Sequence, residues 1–228
     1  MIKLGLPSKG RLQSQCVDWF AARGLTIERA AEDREYAGRV RGVEGVELVL
    51  LSASEIPREL AAGRLHFGVT GEDLIRERIP DAEARVELVA PLGFGRADLV
   101  VVVPSAWVDV DTLHDLDAAA AQFRRAHGRR LRLATKYHNL ARAFLTRAGV
   151  ADYQLVDSQG ATEATPLNLT AEGIIDITSS GETLRANHLK VLEDGLILAS
   201  EAHLCRSLLA PEAPEDAAAA AALRALAG

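Results

Sequence analysis

The chain has 228 residues, of which 48% are hydrophobic and 25% charged, and its formal net charge is −6. This composition is typical of a globular protein of one or two domains and excludes a disordered chain. The acidic balance provides no basic surface for nucleic acid, so no nucleic-acid partner is expected. Polar residues interrupt every apolar run before it could span a membrane, and the N-terminal residues lack the apolar core of a signal peptide. We therefore expect a cytoplasmic protein that does not contact a membrane.

The two cysteines, Cys16 and Cys205, are far apart in the sequence and belong to no CxxC pair. A disulfide framework or a cysteine metal site needs paired or closely spaced cysteines. The sequence therefore predicts two reduced thiols and no metal site in the protein.

The first predicted strand covers residues 2–6, and the segment PSKGR at 7–11 ends it before a helix. Lys9 and Arg11 thus follow the carboxyl end of a strand, where open α/β sheets bind their ligands. Two cations at the start of a helix are equally compatible with solvated side chains. Residues 28–45 are charged and glycine-rich and carry Arg34, which predicts extended structure with a flexible turn.

Two further predicted strands each run directly into a turn or a helix. A strand at residues 66–70 runs into the turn 71–73, and a strand at residues 131–135 runs into a helix that ends at Gly149. Taken alone, Thr70 favours simple turn chemistry. Between these strands, two apolar runs at 86–90 and 99–103 are typical of buried central strands, and we interpret the intervening residues as a connection between two domains.

Residues 173–184 read as a buried strand, a turn of small residues and a helix beginning near Ser180. Small side chains allow close approach to backbone N–H groups, which favours a bound phosphate. Ser179, Ser180 and Thr183 add hydroxyl donors, and Asp176 suits a ligand that also carries hydroxyl groups. The alternative is a capping box between Ser179 and Glu182, and the pattern alone favours that cap.

Several segments resemble those of the ATP phosphoribosyltransferase family. The resemblance covers nearly the whole chain and is carried by LPSKGRL at 6–12, FGVTGEDLI at 67–75, ATKYHN at 134–139 and the run 160–187. Three departures are visible. Ser8 is an insertion, Ser52 stands where many relatives have arginine, and His138 replaces a proline, which argues against His138 as a catalytic base.

The resemblance implies a two-lobed α/β protein with the type II periplasmic-binding-protein-like fold, mixed and mostly parallel sheets, and an active-site cleft between the lobes. It places domain I at residues 1–91 plus 184–228 and domain II at residues 92–183. These boundaries come from the family and not from composition or periodicity.

The implied reaction transfers the phosphoribosyl group of phosphoribosyl pyrophosphate to N1 of ATP, the first step of histidine biosynthesis, with Mg²⁺ carried by the substrate. The implied catalytic cations, which neutralise the phosphates, are Lys9, Arg11 and Arg34. The residues implied to bind phosphoribosyl pyrophosphate are Glu163, Asp176, Ser179, Ser180, Gly181 and Thr183. The residues implied to line the cleft near ATP are Thr70, Gly71, Thr135 and Lys136.

The chain length resembles that of the family's short form. This implies a homodimer when alone and a hetero-octamer with a regulatory subunit related to histidyl-tRNA synthetases. Two alternatives remain open: a non-catalytic module of the same fold that binds a small ligand, and a phosphoribosyltransferase acting on another base. The absence of an export signal and of a helix-turn-helix opposes the first alternative. The absence of adjacent acidic residues before the turn opposes the second.

Overall fold

The computed structural model describes residues 1–29 and 37–226. The strands are β1 (Ile2–Pro7), β2 (Thr26–Arg29), β3 (Ala37–Arg41), β4 (Val46–Leu51), β5 (Phe67–Gly71), β6 (Val86–Pro91), β7 (Ala97–Pro104), β8 (Leu131–Thr135), β9 (Tyr153–Asp157), β10 (Gly173–Thr178), β11 (Leu189–Ser200) and β12 (Ala202–Ser207). The helices are α1 (Gly10–Ala21), α2 (Ile56–Ala61), α3 (Glu72–Arg78), α4 (Ala82–Arg85), α5 (Leu113–His127), α6 (His138–Arg147), α7 (Glu182–Ala186) and α8 (Ala217–Ala225). Short 3₁₀ helices cover Thr162–Ala164 and Pro214–Asp216.

The chain forms two compact units. Unit 1 comprises Met1–Arg96 and Glu201–Gly228, and unit 2 comprises Ala97–Ser200. The predicted division placed residues 184–200 in the first domain. In the structure these residues belong to unit 2, because β11 pairs with β7 from Leu189↔Pro104 to Ser200↔Ala97. The predicted division also placed residues 92–96 in the second domain, whereas they belong to unit 1, where Leu92 packs into the core and its N–H donates to the carbonyl oxygen of Ala202 at 2.9 Å. The connection between the units therefore falls at residues 96–97 and 200–201.

Unit 1 is built on a seven-stranded sheet with the order β2-β3-β4-β1-β5-β12-β6. β1 pairs in parallel with β4 and β5, so the carboxyl ends of these three strands meet at one edge. β12 pairs antiparallel with β5 and β6. The side chains of β4 alternate between buried and half-buried positions, as successive side chains of a strand on a half-covered sheet do. The helix α1 packs Cys16, Trp19 and Phe20 into the core beside β1.

Unit 2 is built on a five-stranded sheet with the order β11-β7-β10-β8-β9. Residues 99–103 of β7 are all buried, which confirms the strand predicted from this β-branched run. β8 pairs in parallel with β9 and β10, whereas β7 pairs antiparallel with β10 and β11. The sheet is thus mixed, and the turns that follow β8, β9 and β10 emerge at the same edge.

Within the described ranges, no helix has both the length and the apolar character needed to cross a membrane.

Candidate active site

The candidate site in unit 2 lies at the edge where β8, β9 and β10 end. Thr135 of β8 is level with Asp157 of β9, and Ile174 of β10 is level with Ala134 of β8. Because the three strands are parallel, the turns that begin at Lys136, Ser158 and Ser179 leave the sheet together. This is the edge at which α/β sheets bind ligands.

The turn after β10 is open to solvent. Ser179, Ser180 and Thr183 are exposed, and Gly181 adopts the left-handed conformation at φ 71°. The backbone N–H of Gly181 donates to Thr178 Oγ1 at 3.0 Å, and that of Glu182 donates to Ser180 Oγ at 3.4 Å. The N–H groups of Gly181 and Glu182 are therefore already bonded within the turn, and the donors that the turn presents to solvent are the hydroxyls of Ser179, Ser180 and Thr183.

The helix after this turn differs from the prediction. It begins at Glu182, not near Ser180, and Gly181 occupies its N-cap position without a side-chain cap bond. The capping box between Ser179 and Glu182 is therefore not formed. Since α7 has only five residues, a bound phosphate would depend mainly on the hydroxyl donors of the turn and little on a helix dipole.

Asp176 and Lys136, both predicted site residues, are brought together at this edge. Asp176 Oδ1 lies 3.7 Å from Lys136 Nζ and accepts a hydrogen bond from the backbone N–H of Ile177 at 2.8 Å. Both side chains are largely but not fully covered, with 19% of Asp176 and 34% of Lys136 exposed. The ammonium group compensates the carboxylate, which lowers the repulsion that an incoming phosphate would meet.

Glu163 lies in the 3₁₀ helix Thr162–Ala164, which follows β9 after a short turn. A buried hydrogen bond of 3.0 Å between the hydroxyls of Ser158 and Thr162 anchors this segment to the end of β9. Glu163 itself is half-buried, and among the described residues its carboxylate makes no hydrogen bond or ion pair. It is therefore available to a ligand.

Thr70 and Thr135 differ from the prediction that they line a cleft, because both side chains are fully buried. The hydroxyl of Thr70 donates to the carbonyl oxygen of Ala53 at 2.9 Å. The hydroxyl of Thr135 accepts from the backbone N–H of Tyr137 at 2.9 Å. The Thr70 hydroxyl thus fixes the turn that follows β4, and the Thr135 hydroxyl fixes the turn that follows its own strand β8, so any ligand contact at either threonine would involve backbone atoms. Gly71, beside Thr70, is half-exposed.

Unit 1 has an equivalent edge, where β1, β4 and β5 end. Lys9 and Arg11 are exposed there, and the N–H of Ser8 donates to the carbonyl oxygen of Leu51 at 2.7 Å, which joins the ends of β1 and β4. Arg34, the third predicted cation, lies outside the described residues. The assignment of these cations to substrate phosphates stays a prediction.

Ser52, the position at which many relatives have arginine, takes part in local hydrogen bonding. Its hydroxyl donates to Glu55 Oε2 at 2.6 Å, and its backbone N–H donates to the same oxygen at 3.0 Å. These two hydrogen bonds lower the pKa of the Glu55 carboxyl. Ser52 thus fixes the start of α2 and adds no positive charge to this edge.

A pair at the unit 2 edge was not predicted. His138 Nε2 lies 3.1 Å from Asp157 Oδ1, and Gln159 Nε2 donates to the same oxygen at 2.8 Å. His138 was considered in the sequence only as a catalytic base. Its partner, Asp157, lies 19 residues later at the end of β9, so only the pairing register of β8 and β9 could have revealed the contact.

In the part of the chain that the structure describes, no group of three or more His, Cys, Asp or Glu side chains is arranged to hold a metal ion. The carboxylates at the unit 2 edge, Asp176 and Glu163, could each supply oxygen ligands to an ion that also binds a phosphate.

The fold and this edge define a class of protein. Two α/β units with mixed sheets, connected by two chain crossings and with donor-rich turns at the strand ends, form the type II periplasmic-binding-protein-like fold. The model of the HisG family, ATP phosphoribosyltransferase, matches residues 52–226. The chain belongs to this family.

Relatives that bear the name ATP phosphoribosyltransferase support this membership. The protein from Cereibacter sphaeroides is 66% identical over 206 residues, which cover 90% of this chain and 87% of the relative. The protein from Sinorhizobium medicae is 54% identical over 207 residues, which cover 90% of each chain. A relative from Rhodopseudomonas palustris is 55% identical, and the match covers 90% of this chain and 63% of that longer protein.

Solved structures support the fold. The ATP phosphoribosyl transferase (HisG:HisZ) complex from Thermotoga maritima has a TM-score of 0.73 at 18% identity, covering 99% of this chain and 98% of that chain. The P235GK mutant of ArgBP from T. maritima has a TM-score of 0.53 at 12% identity, covering 99% of this chain and 86% of that chain. At these identities the likeness concerns the fold alone.

Proposed function

We propose that the chain transfers the phosphoribosyl group of phosphoribosyl pyrophosphate to N1 of ATP, releasing pyrophosphate and forming phosphoribosyl-ATP. This is the first step of histidine biosynthesis, which would place the chain in the cytoplasm. Family membership supports the reaction. The structural observation that supports the reaction is the Asp176–Lys136 pair, which lies beside the exposed turn 179–183 at the edge where three parallel strands end.

The turn after β10 would bind the 5-phosphate of the sugar. Ser179, Ser180 and Thr183 provide exposed hydroxyls, and Gly181 allows the phosphate to approach the backbone because it has no side chain. The carboxylate of Asp176 would accept hydrogen bonds from the ribose hydroxyls, with Lys136 balancing its charge. Glu163, which has no described partner, would contact the ribose hydroxyls from the neighbouring turn.

In the reaction, adenine N1 attacks C1 of the ribose, the bond from C1 to the pyrophosphate oxygen breaks, and its electron pair leaves with pyrophosphate. N1 already carries a lone pair, so no side chain has to act as a strong base. The protein therefore acts by orienting the substrates and by neutralising charge on the leaving group. Lys9, Arg11 and Arg34 are the cations proposed for the pyrophosphate and ATP phosphates.

Mg²⁺ is proposed to arrive with the substrate. The carboxylates of Asp176 and Glu163 are oxygen ligands of the type that Mg²⁺ prefers, but two carboxylates alone do not make a dedicated metal site. An ion bound to pyrophosphate would supply further neutralisation of the leaving group.

The reaction is tested by the change in near-ultraviolet absorbance when the purified chain is mixed with ATP, phosphoribosyl pyrophosphate and Mg²⁺, with and without a regulatory subunit. We expect product formation that requires both substrates. If neither preparation turns over, the proposal is refuted.

The role of the turn is tested by replacing Gly181 with Trp, which places a large side chain over the proposed phosphate position. A matched control is Gly149→Trp. Gly149 also has a positive φ, of 79°, in the same unit, and no atom lies within 4 Å of its added Cβ position. We expect both variants to lose some stability and only Gly181→Trp to lose binding of phosphoribosyl pyrophosphate in calorimetry. Unchanged affinity in Gly181→Trp would show that the turn does not hold the phosphate.

We also propose that the chain, a homodimer alone, assembles with a regulatory subunit into a hetero-octamer. This proposal is supported by the structural neighbour from T. maritima, which is a HisG:HisZ complex. Inhibition by histidine should then require the second subunit, and light scattering should show the mass change. Full inhibition of the chain alone by histidine would contradict it.

A further inference from the structure

His138 and Asp157 form a side-chain bridge between two turns at the unit 2 edge. His138 is the first residue of α6, and Asp157 is the last residue of β9. The carboxylate accepts hydrogen bonds, so His138 Nε2, 3.1 Å away, carries the proton and donates it. Gln159 donates to the same oxygen at 2.8 Å. The imidazole is thereby connected to the start of the turn that follows β9.

Each of the two turns carries a residue with a role in the proposed function: Lys136 balances the charge of Asp176, and Glu163 contacts the ribose hydroxyls. The turn before α6 contains Lys136, which lies 3.7 Å from Asp176. The turn after β9 leads to Glu163 through Ser158. The backbone N–H of Ser158 donates to the carbonyl oxygen of Thr135 at 3.1 Å, and the hydroxyls of Ser158 and Thr162 share a hydrogen bond of 3.0 Å. A displacement of Asp157 would therefore be transmitted to the segment that holds Glu163.

We propose that the His138–Asp157 bridge is a positioning device that sets the spacing between Lys136 and Glu163, and so preorganises this edge for the phosphorylated sugar. The inference rests on the proposed function, from which it takes the roles of Lys136 and Glu163. His138 has no part in proton transfer under this proposal. It acts through the position of the two turns.

The exposure of the pair predicts where its effect appears. His138 is 34% exposed and Asp157 59% exposed, and exposed pairs contribute little to folding stability. The same weak restraint can change affinity, because a binding site that is not preorganised must become ordered when the ligand binds. We therefore expect a change in substrate affinity with little change in melting temperature.

The test compares His138→Ala, Asp157→Ala and the double variant with the wild-type chain, in the form that turns over. We expect the KM for phosphoribosyl pyrophosphate to rise about three- to fivefold in each single variant, with kcat changed less than about twofold. The double variant should show no further rise, because each single change already breaks the bridge. His138→Gln, whose amide N–H can reach Asp157, should restore the KM to near its wild-type value.

Asp152→Asn is the matched control. Asp152 precedes β9 at its other end, where Arg124 Nη1 contacts its carboxylate in an ion pair of comparable exposure. Loss of that pair should leave the KM unchanged. A wild-type KM in His138→Ala, an equal rise in Asp152→Asn, or a failure of His138→Gln to restore affinity would each overturn the positioning role. A wild-type chain that neither turns over nor binds phosphoribosyl pyrophosphate would instead refute the proposed function itself.

Discussion

Replacing Glu172 with Gln tests the charge cluster at the start of β10. The carboxylate of Glu172 accepts hydrogen bonds from the backbone N–H of Arg132 at 2.7 Å, from Arg132 Nη2 at 2.8 Å and from Arg129 Nη2 at 3.0 Å. Burial alone would raise the pKa of Glu172, but these hydrogen bonds outweigh it and lower the pKa from 4.5 to about 2. The cluster therefore stabilises the fold through the ionised carboxylate.

The size of the effect follows from this pKa. A fall from 4.5 to about 2 corresponds to roughly 3 kcal/mol in favour of the ionised form in the folded chain. The two arginine side chains are 47% and 26% exposed, so solvent screens part of this interaction. At pH 7 we expect Glu172→Gln to lower the free energy of unfolding by about 1–3 kcal/mol.

The pH dependence has a definite sign. The folded-state pKa is depressed, so the stabilisation is fully present above the unfolded value of 4.5 and is lost as the pH falls from 4.5 toward 2. The difference between wild type and Glu172→Gln should therefore shrink to about half by pH 3. Urea unfolding followed by far-ultraviolet circular dichroism measures it, with Glu193→Gln, an exposed carboxylate in the same unit, as the control. A difference that is absent at pH 7, or that grows on acidification, would refute the reasoning.

Two further predictions concern other parts of the chain. Both cysteines should be inert to a thiol reagent at pH 8 until the chain is unfolded. Burial raises the pKa of Cys16 to about 12, and burial together with the nearby charge of Glu72 raises the pKa of Cys205. Rapid labelling of the native chain would contradict this prediction. Leu169→Gly should stabilise the chain by about 0.5–1 kcal/mol, because Leu169 is 80% exposed and held at φ 57°, a conformation that glycine adopts without steric cost. The control Leu167→Gly, at a position without positive φ, should destabilise the chain, and thermal melts measure both effects. Equal effects of the two glycines would remove the backbone-strain explanation.

The main strands could be predicted because their signals are local. The run at residues 99–103 is apolar and mostly β-branched, and it forms the buried strand β7. The strand predicted at residues 66–70 forms as β5, Phe67–Gly71. The strand at residues 173–178 also follows from its own composition. In each case the relevant preference lies within a few neighbouring residues.

The details of the site depend on backbone conformation and on distant partners. Ser179 and Glu182 have the spacing of a capping box, but Gly181 adopts a left-handed conformation between them and the helix begins later. Thr70 was correctly placed at a strand end, yet the direction of its hydroxyl is decided by the carbonyl oxygen of Ala53, 17 residues earlier. The His138–Asp157 pair likewise needs the register of two strands.

The position of β12 has a consequence for the order in which the chain can fold during synthesis. β12 lies between β5 and β6 in the unit 1 sheet, although 110 residues, 92–201, separate it from β6 in the sequence. Unit 2 is one continuous segment, so a ribosome can release all of its strands before β12 has been made. Until Ser207 has emerged, β5 and β6 lack the strand that joins them, and the N-terminal segment must wait for the segment synthesised after it.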